Sequence, residues 1–218
     1  MNRPAKIFLK VVLISLGFLL LAYAGLVTYA TYTARAAVRE ASLDVAGQVT
    51  GNPQGTLTVV EFVDYRCHYC PVMNATLEEA LRDEPEVKVI IRPVGWVDDL
   101  SKPIANFVLA TAAQGKMTEL HSRLMSLSAL PDLETAKTIA ASIGIDVAKA
   151  EEAANSKEIA DAVATNEEYV ANSGLMGVPS LIIGGYRYQP DEEGMKSVNG
   201  LRMKFADAIE RQTKESEK

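Results

Sequence analysis

The sequence predicts an α/β domain whose sheet is interrupted by a block of helices, preceded by an apolar N-terminal helix. Three observations carry that reading. A β-rich run, Leu57-Thr58-Val59-Val60-Glu61-Phe62-Val63-Asp64, leads through a cysteine pair into a helical stretch and then into a second β-rich run at 87–93. Residues 101–173 are Ala-rich with helical patterning throughout. Strand character returns only at Ser180-Leu181-Ile182-Ile183, before a last helical segment.

The N-terminus bears on compartment. Arg3, Lys6 and Lys10 precede an uncharged stretch over 11–34, and roughly 20 apolar residues suffice to span a bilayer. Basic residues in front predict a cytoplasmic N-terminus and export of the chain beyond the apolar stretch. A cleaved signal peptide is the rival, with Ala22-Tyr23-Ala24 as its small-residue site. The retained anchor is preferred because apolar character continues through Leu26, Val27 and Tyr29. Residues 35–50 read as a helical or flexible stalk, and Gly51-Asn52-Pro53-Gln54-Gly55 as the turn that opens the domain. The expected organisation is therefore 1–34 signal-anchor, 35–50 stalk and 51–218 domain, with the helical insertion at about 101–173.

Within the domain, 57–64 reads as a buried strand. Pro71 suits a first helical turn, where its missing N–H costs nothing, and 72–82 has helical composition. Pro93 stops the second strand. In the helical block, Asp132 and Asp146 look like N-caps, and Gly144 and Gly174 like C-terminal stops. Gly184-Gly185 turns into Tyr186-Arg187-Tyr188, and a helix over 197–215 closes the chain.

The chemistry concentrates in Cys67-His68-Tyr69-Cys70, which contains both cysteines of the 218 residues. A bridge closing so small a loop removes little chain entropy, so its value is chemical rather than structural. Zinc wants four ligands, and only His68 and His121 are available to help two cysteines. A reversible dithiol/disulfide centre is the better reading, with a thiol-based copper or other metal site as the alternative. A helix N-terminus favours a thiolate, so Cys67, expected at that end, is the attacking nucleophile. Cys70, expected one turn inside, resolves the mixed disulfide. His68 adds positive charge beside the sulfur. The net charge of −6, without a polybasic run, argues against nucleic acid as a partner.

Phe62-Val63-Asp64-Tyr65-Arg66-Cys67-His68-Tyr69-Cys70, with Gly177-Val178-Pro179-Ser180 further on, resembles the DsbA family of thioredoxin-fold thiol:disulfide oxidoreductases, and its DsbA/Com1-like branch with an F-x-D-Y-x-C-x-Y-C signature. The resemblance spans roughly 51–211 and implies a thioredoxin fold with an inserted helical subdomain. It implies that Cys67–Cys70 is a redox-active disulfide needing no other cofactor and no metal. It also implies a cis Pro179 against the cysteines, with Val178 and Tyr69 on the substrate side. Glu61 matches a buried acid that carries the proton of the resolving thiol, and Lys88 is the candidate for that acid's lysine partner. The implied location is the bacterial periplasm, anchored in the inner membrane or soluble after cleavage. The implied partners are cysteine-containing exported proteins and a membrane redox protein that resets the pair.

The family's strong oxidants carry proline then histidine between the cysteines, whereas His68-Tyr69 resembles its isomerases and reductases. Val178 before the proline resembles the oxidases. Disulfide donation is the preferred direction, with reduction or isomerisation as the alternative. His121 reads as an ordinary surface or core residue on an amphipathic helix. Trp96, Tyr186 and Tyr188 read as packing groups, and the Glu151-Glu152 and Glu167-Glu168 pairs as solvated helix faces.

Overall fold

The computed structural model describes residues 3–43 and 48–217, with no side-chain detail at 3–9 and 11. Residues 44–47 of the expected stalk, Asp44 included, lie outside the described residues, as do the side chains of Arg3 and Lys6. The chain divides into two units, Met1–Ala36 and Ala37–Lys218. Most of α1 (Arg3–Ala41) makes up the first. Its stretch Val12–Ala41, whose most apolar 18 residues have a mean hydropathy of 2.1, is long and apolar enough to cross a membrane, a property that N-terminal signal segments share.

The second unit is built on a five-stranded sheet of order β1-β3-β2-β4-β5. The central β2 (Leu57–Val63) runs parallel to β3 (Val87–Pro93), and α2 (Cys70–Leu81) forms the crossover between them. β4 (Ser180–Ile183) pairs antiparallel with the other side of β2 and forms a hairpin with β5 (Tyr186–Tyr188). The hairpin turns on Gly184 and Gly185, both at positive φ (54° and 84°), which glycine adopts without a Cβ clash. At the opposite edge, β1 (Val49–Gly51) pairs antiparallel with β3.

Gly51, expected as part of a turn that opens the domain, closes a strand here, and the last turn of α1 lies in the same unit as the sheet. Ala41 is buried with Val60, Phe62, Val94 and Ile182. Arg92 donates to the Ala41 carbonyl (3.0 Å from Nη2) and to the Leu43 carbonyl (2.9 Å). Local composition marks 35–50 as a stalk because its buried residues, among those described, are Ala37, Ala41 and Gln48, which carry little apolar signal.

Between β3 and β4 lie α3 (Ser101–Ala110), α4 (Met117–Met125), α5 (Leu133–Ser142), α6 (Val147–Ala154) and α7 (Lys157–Ser173). Their punctuation reflects local chemistry. The Asp132 side chain accepts from Thr135 N–H, Asp146 from Lys149 N–H and Ser156 from Ile159 N–H, each capping a helix. Gly174, at φ 77°, ends α7. α8 (Val198–Ser216) closes the chain.

Strand parity assigns the two faces of the sheet. Leu57, Val59, Val87, Val89, Leu181 and Ile183 face α2 and α8, packing on Met73, Leu77, Leu201 and Phe205. Val60, Phe62 and Ile182 face the opposite layer, with Val170 of α7 and Ala41. Glu61 shares the parity of Val59 and so points toward α2, in the middle of an otherwise apolar face.

Candidate active site

β2 ends at Val63, and Asp64 organises the loop after it. One carboxylate oxygen accepts from Arg66 N–H (2.9 Å); the other accepts from Trp96 N–H (2.8 Å) and Val97 N–H (2.9 Å). The Asp64 carbonyl accepts from Cys67 N–H at 3.0 Å. Arg66 then pins this loop to the insertion, with Nε on Asp98 (2.8 Å) and Nη1 on the Pro131 carbonyl (3.2 Å). The cysteine turn thus sits between the sheet, the β3–α3 loop and the α4–α5 loop. Asp64 and Arg66 were visible in the motif, but nothing local assigned them this clamping.

Cys67 is not at the helix terminus itself. α2 begins at Cys70, and Cys67–Cys70 form a lead-in turn closed by Cys70 N–H on the Cys67 carbonyl (3.3 Å). Pro71 occupies the first helical turn, as its missing donor favours. The free thiols of Cys67 and Cys70 are both buried, yet their surroundings differ. The Cys67 thiol is lowered to about 7, first by the hydrogen bond from the Cys70 thiol, then, against the penalty of burial, by backbone N–H groups of Tyr69 and Cys70. Burial, followed by the hydrogen bond it gives to Cys67, pushes the Cys70 thiol well up. His68 is exposed and is not among the groups that lower Cys67.

The Val178–Pro179 peptide is cis, and the Val178 carbonyl lies 3.6 Å from Cys67 Sγ. The two motif halves, 111 residues apart, meet at the Cys67 sulfur. Exposed apolar side chains occupy the flanking segments: Tyr69 (51% exposed), Trp96, Val97 and Met176 (90% exposed). Trp96 is therefore less of a packing group than its sequence context implies. Tyr186, also exposed, carries the Arg211 guanidinium 4.3 Å from its ring centroid.

Beneath the pair, Glu61 is 1% exposed, and its Oε1 has no hydrogen-bond partner. Burial, with Glu78 as a second and smaller cause, raises its carboxyl to about 8. The lysine partner implied by resemblance is not opposite it. Lys88 is in register with Thr58, and parity puts it on the other face of the sheet; Ile91 is the residue beside Glu61. What faces Glu61 instead is His121 of α4, whose Nε2 lies 3.6 Å from Glu61 Oε2. His121 is itself buried and held down to about 4 by that burial. A 3.6 Å approach with both groups driven neutral is not an ion pair. His121 Nδ1 is 3.1 Å from the Tyr65 hydroxyl and Nε2 2.8 Å from Asn74 Oδ1. A neutral ring that donates from Nε2 and accepts at Nδ1 satisfies all three side chains. Sequence reasoning missed this cluster. Its only local trace is that His121 sits at a core position of an amphipathic helix.

Among the described residues no group of three or more His, Cys, Asp or Glu is placed to hold a metal ion.

A family model described as thioredoxin matches residues 44–198. The Na(+)/H(+) antiporter NhaA 3 of Salinispora tropica is 26% identical over 144 residues, 64% of this chain but 22% of the antiporter, so the chain spans about a fifth of that relative. A thioredoxin-like oxidoreductase from Silicibacter pomeroyi superposes with a TM-score of 0.70 at 26% identity, covering 81% of this chain and 98% of that one. The thiol-disulfide exchange protein alpha-DsbA2 from Wolbachia pipientis gives 0.69 at 22% identity over 83% and 97%. The catalytic domain of Proteus mirabilis ScsC gives 0.68 at 22% over 81% and 97%. A strand–cysteine turn–helix unit packed against a cis proline, inside a family match covering well over half its length, establishes that this chain belongs to the thioredoxin family.

Proposed function

We propose that the chain is an exported protein thiol:disulfide oxidoreductase whose Cys67–Cys70 pair exchanges disulfides with cysteine-containing proteins. The observation that carries this is the opposite tuning of two adjacent thiols: Cys67 lowered to about 7 and Cys70 pushed well up. A nucleophile with a pKa near ambient pH attacks efficiently, while a resolving thiol kept protonated does not compete with it.

In the donor direction a substrate thiolate attacks Cys67 Sγ of the oxidised pair, the Cys67–Cys70 bond breaks, and Cys70 leaves as a thiolate. Glu61, protonated near neutral pH, supplies the proton that Cys70 takes up. A second substrate thiolate then attacks the substrate sulfur of the mixed disulfide and releases Cys67 as its thiolate. Two electrons have passed from substrate to protein. In the reverse direction every step runs backward, and Glu61 accepts the Cys70 proton. Val178 and Pro179 hold the extended substrate over Cys67, Tyr69 adds apolar surface beside it, and His68 faces the incoming chain. A DsbA/Com1-like donor in the periplasm, tethered by α1 and reset by a membrane redox partner, fits the oxidase-like Val178 and the apolar helix.

One observation favours reduction or isomerisation instead. A nucleophile at about 7 is nearer the thioredoxin value of about 7 than the roughly 3.5 of strong oxidants. Each unit of thiolate stabilisation is worth about 30 mV in the two-electron couple. The deciding measurement is the reduction potential of the Cys67–Cys70 pair against glutathione buffers. A value above about −150 mV marks a donor, and one below about −220 mV a reductant. A protein that binds Cu(I) stoichiometrically but exchanges no disulfides would sink both directions together.

A further inference from the structure

Between α2, α4 and the sheet lies a cavity of about 110 Å³. Glu61, Asn74 and His121 line its inner end, and Glu78, Thr118 and Ser122 its outer part. Glu78 is exposed and accepts a hydrogen bond from Ser122 Oγ at 2.8 Å, so the rim reaches solvent. That volume holds several water molecules, which settle only where polar partners exist. The inner end supplies them: the unpartnered Glu61 Oε1, and the His121–Asn74 pair. The cavity rim lies between α2 and α4, at Glu78 and Ser122, whereas Cys67 meets the cis-proline loop.

The chemistry of the pair needs such a route. Every turnover leaves Glu61 one proton short or one proton over, and substrate over Cys67 would cover the direct way out through the cysteine turn. We propose that this cavity is the proton channel between Glu61 and bulk solvent, and that His121 is the positioning residue that keeps its inner end polar beside the carboxyl. The inference rests on the thiol-exchange reading and deepens it. A neutral imidazole suits the role. It orients Asn74, whose oxygen keeps a second lone pair for water, without holding a charge that would lock Glu61 as carboxylate, as a buried lysine would. Tyr65 and Asn74 fix the ring from both sides. The titratable groups facing Glu61 are Glu78 and Cys70 of α2, His121 of α4 and Tyr65 of the loop. From the sheet come Val89 and Ile91 of β3 and Leu181 of β4, all apolar.

The test uses the full-length chain in detergent, with the fluorescence of the single tryptophan, Trp96, reporting redox state during exchange with glutathione between pH 5 and 9. His121→Leu should slow exchange about tenfold and move the limb of the pH profile that reports Glu61 up by about one unit. His121→Gln, still able to bond Tyr65 and Asn74, should restore most of the rate. Thr118→Leu, which plugs the outer part without touching the inner cluster, should slow exchange while leaving the Cys67 thiolate absorbance titration in place. Should His121→Leu fail to fold, Thr118→Leu and Ser122→Leu carry the test alone. Folded plug variants with the rate and pH profile of the parent would overturn the channel. A parent protein that performs no exchange at all would instead overturn the function beneath it.

Discussion

Two sides of one short turn treat ionisable groups in opposite ways. At Cys67, a thiol proton and backbone N–H groups converge on the sulfur and favour the anion. A few ångströms of chain away, in the layer between β2, α2 and α4, burial drives Cys70 and Glu61 toward their protonated forms and strips the proton from His121. Both regions are buried, so burial alone does not decide. What differs is whether fixed dipoles point at the group that would carry the charge. The interior holds its titratable groups neutral, while the turn favours a thiolate.

The largest effect that breaks this contrast is removal of its reactive sulfur. Cys67→Ser should abolish thiol exchange, a loss of at least about 10³-fold in a glutathione assay. Cys70→Ser should leave attack intact and accumulate mixed disulfides, visible on non-reducing gels; their absence with every candidate substrate would remove the resolving role.

Next comes the interior acid. Glu61 binds its proton more tightly in the folded chain (about 8) than in the unfolded one, whose reference is 4.5. The folded state therefore carries more protons than the unfolded state between about pH 4.5 and 8, and the Glu61 contribution to stability is lost as pH rises through that window. Glu61→Gln should flatten this decline. The gain over the parent at pH 8 should be no more than about 5 kcal/mol, from 1.4 kcal/mol per unit, read by urea unfolding at several pH values. His121 has the opposite sign: lowered to about 4, its contribution grows as pH rises from about 4 to 6.5. A parent whose stability does not differ in slope from Glu61→Gln would remove the buried acid from the account.

Arg92 tests the junction of α1 with the sheet. Arg92→Ala strands the carbonyls of Ala41 and Leu43 and should cost about 2–3 kcal/mol of unfolding free energy, with exchange rates unchanged in the folded fraction. The smallest effect is at the cavity rim. Glu78→Gln removes one negative charge that raises Glu61 and should lower the Glu61 pKa by a fraction of a unit, seen in the carboxyl infrared band.

Much of the fold was legible because its signals are local. Asp132, Asp146 and Gly174 announce helix ends through bonds to their own neighbours, and each is found there. The insertion and the glycine hairpin were legible for the same reason. The start of the domain was not, because β1 is three residues long and the α1 end buries only alanines. The thiols were readable from residue type and spacing, and the proline from the motif resemblance. The group facing Glu61 was not. The resemblance offered Lys88, whose register with Thr58 places it on the other face of the sheet.

By itself, then, the sequence determined the cysteine pair, the order of the elements from β2 to α8 and the apolar N-terminal helix, since each is written in neighbouring residues, while the motif resemblance marked the proline. The tertiary structure alone decided that Glu61 points inward, that His121 arrives from another helix to face it, and that a cavity joins both to the surface. A strand carries two faces of equal sequence spacing, and which one is desolvated depends on what distant chain is packed upon it.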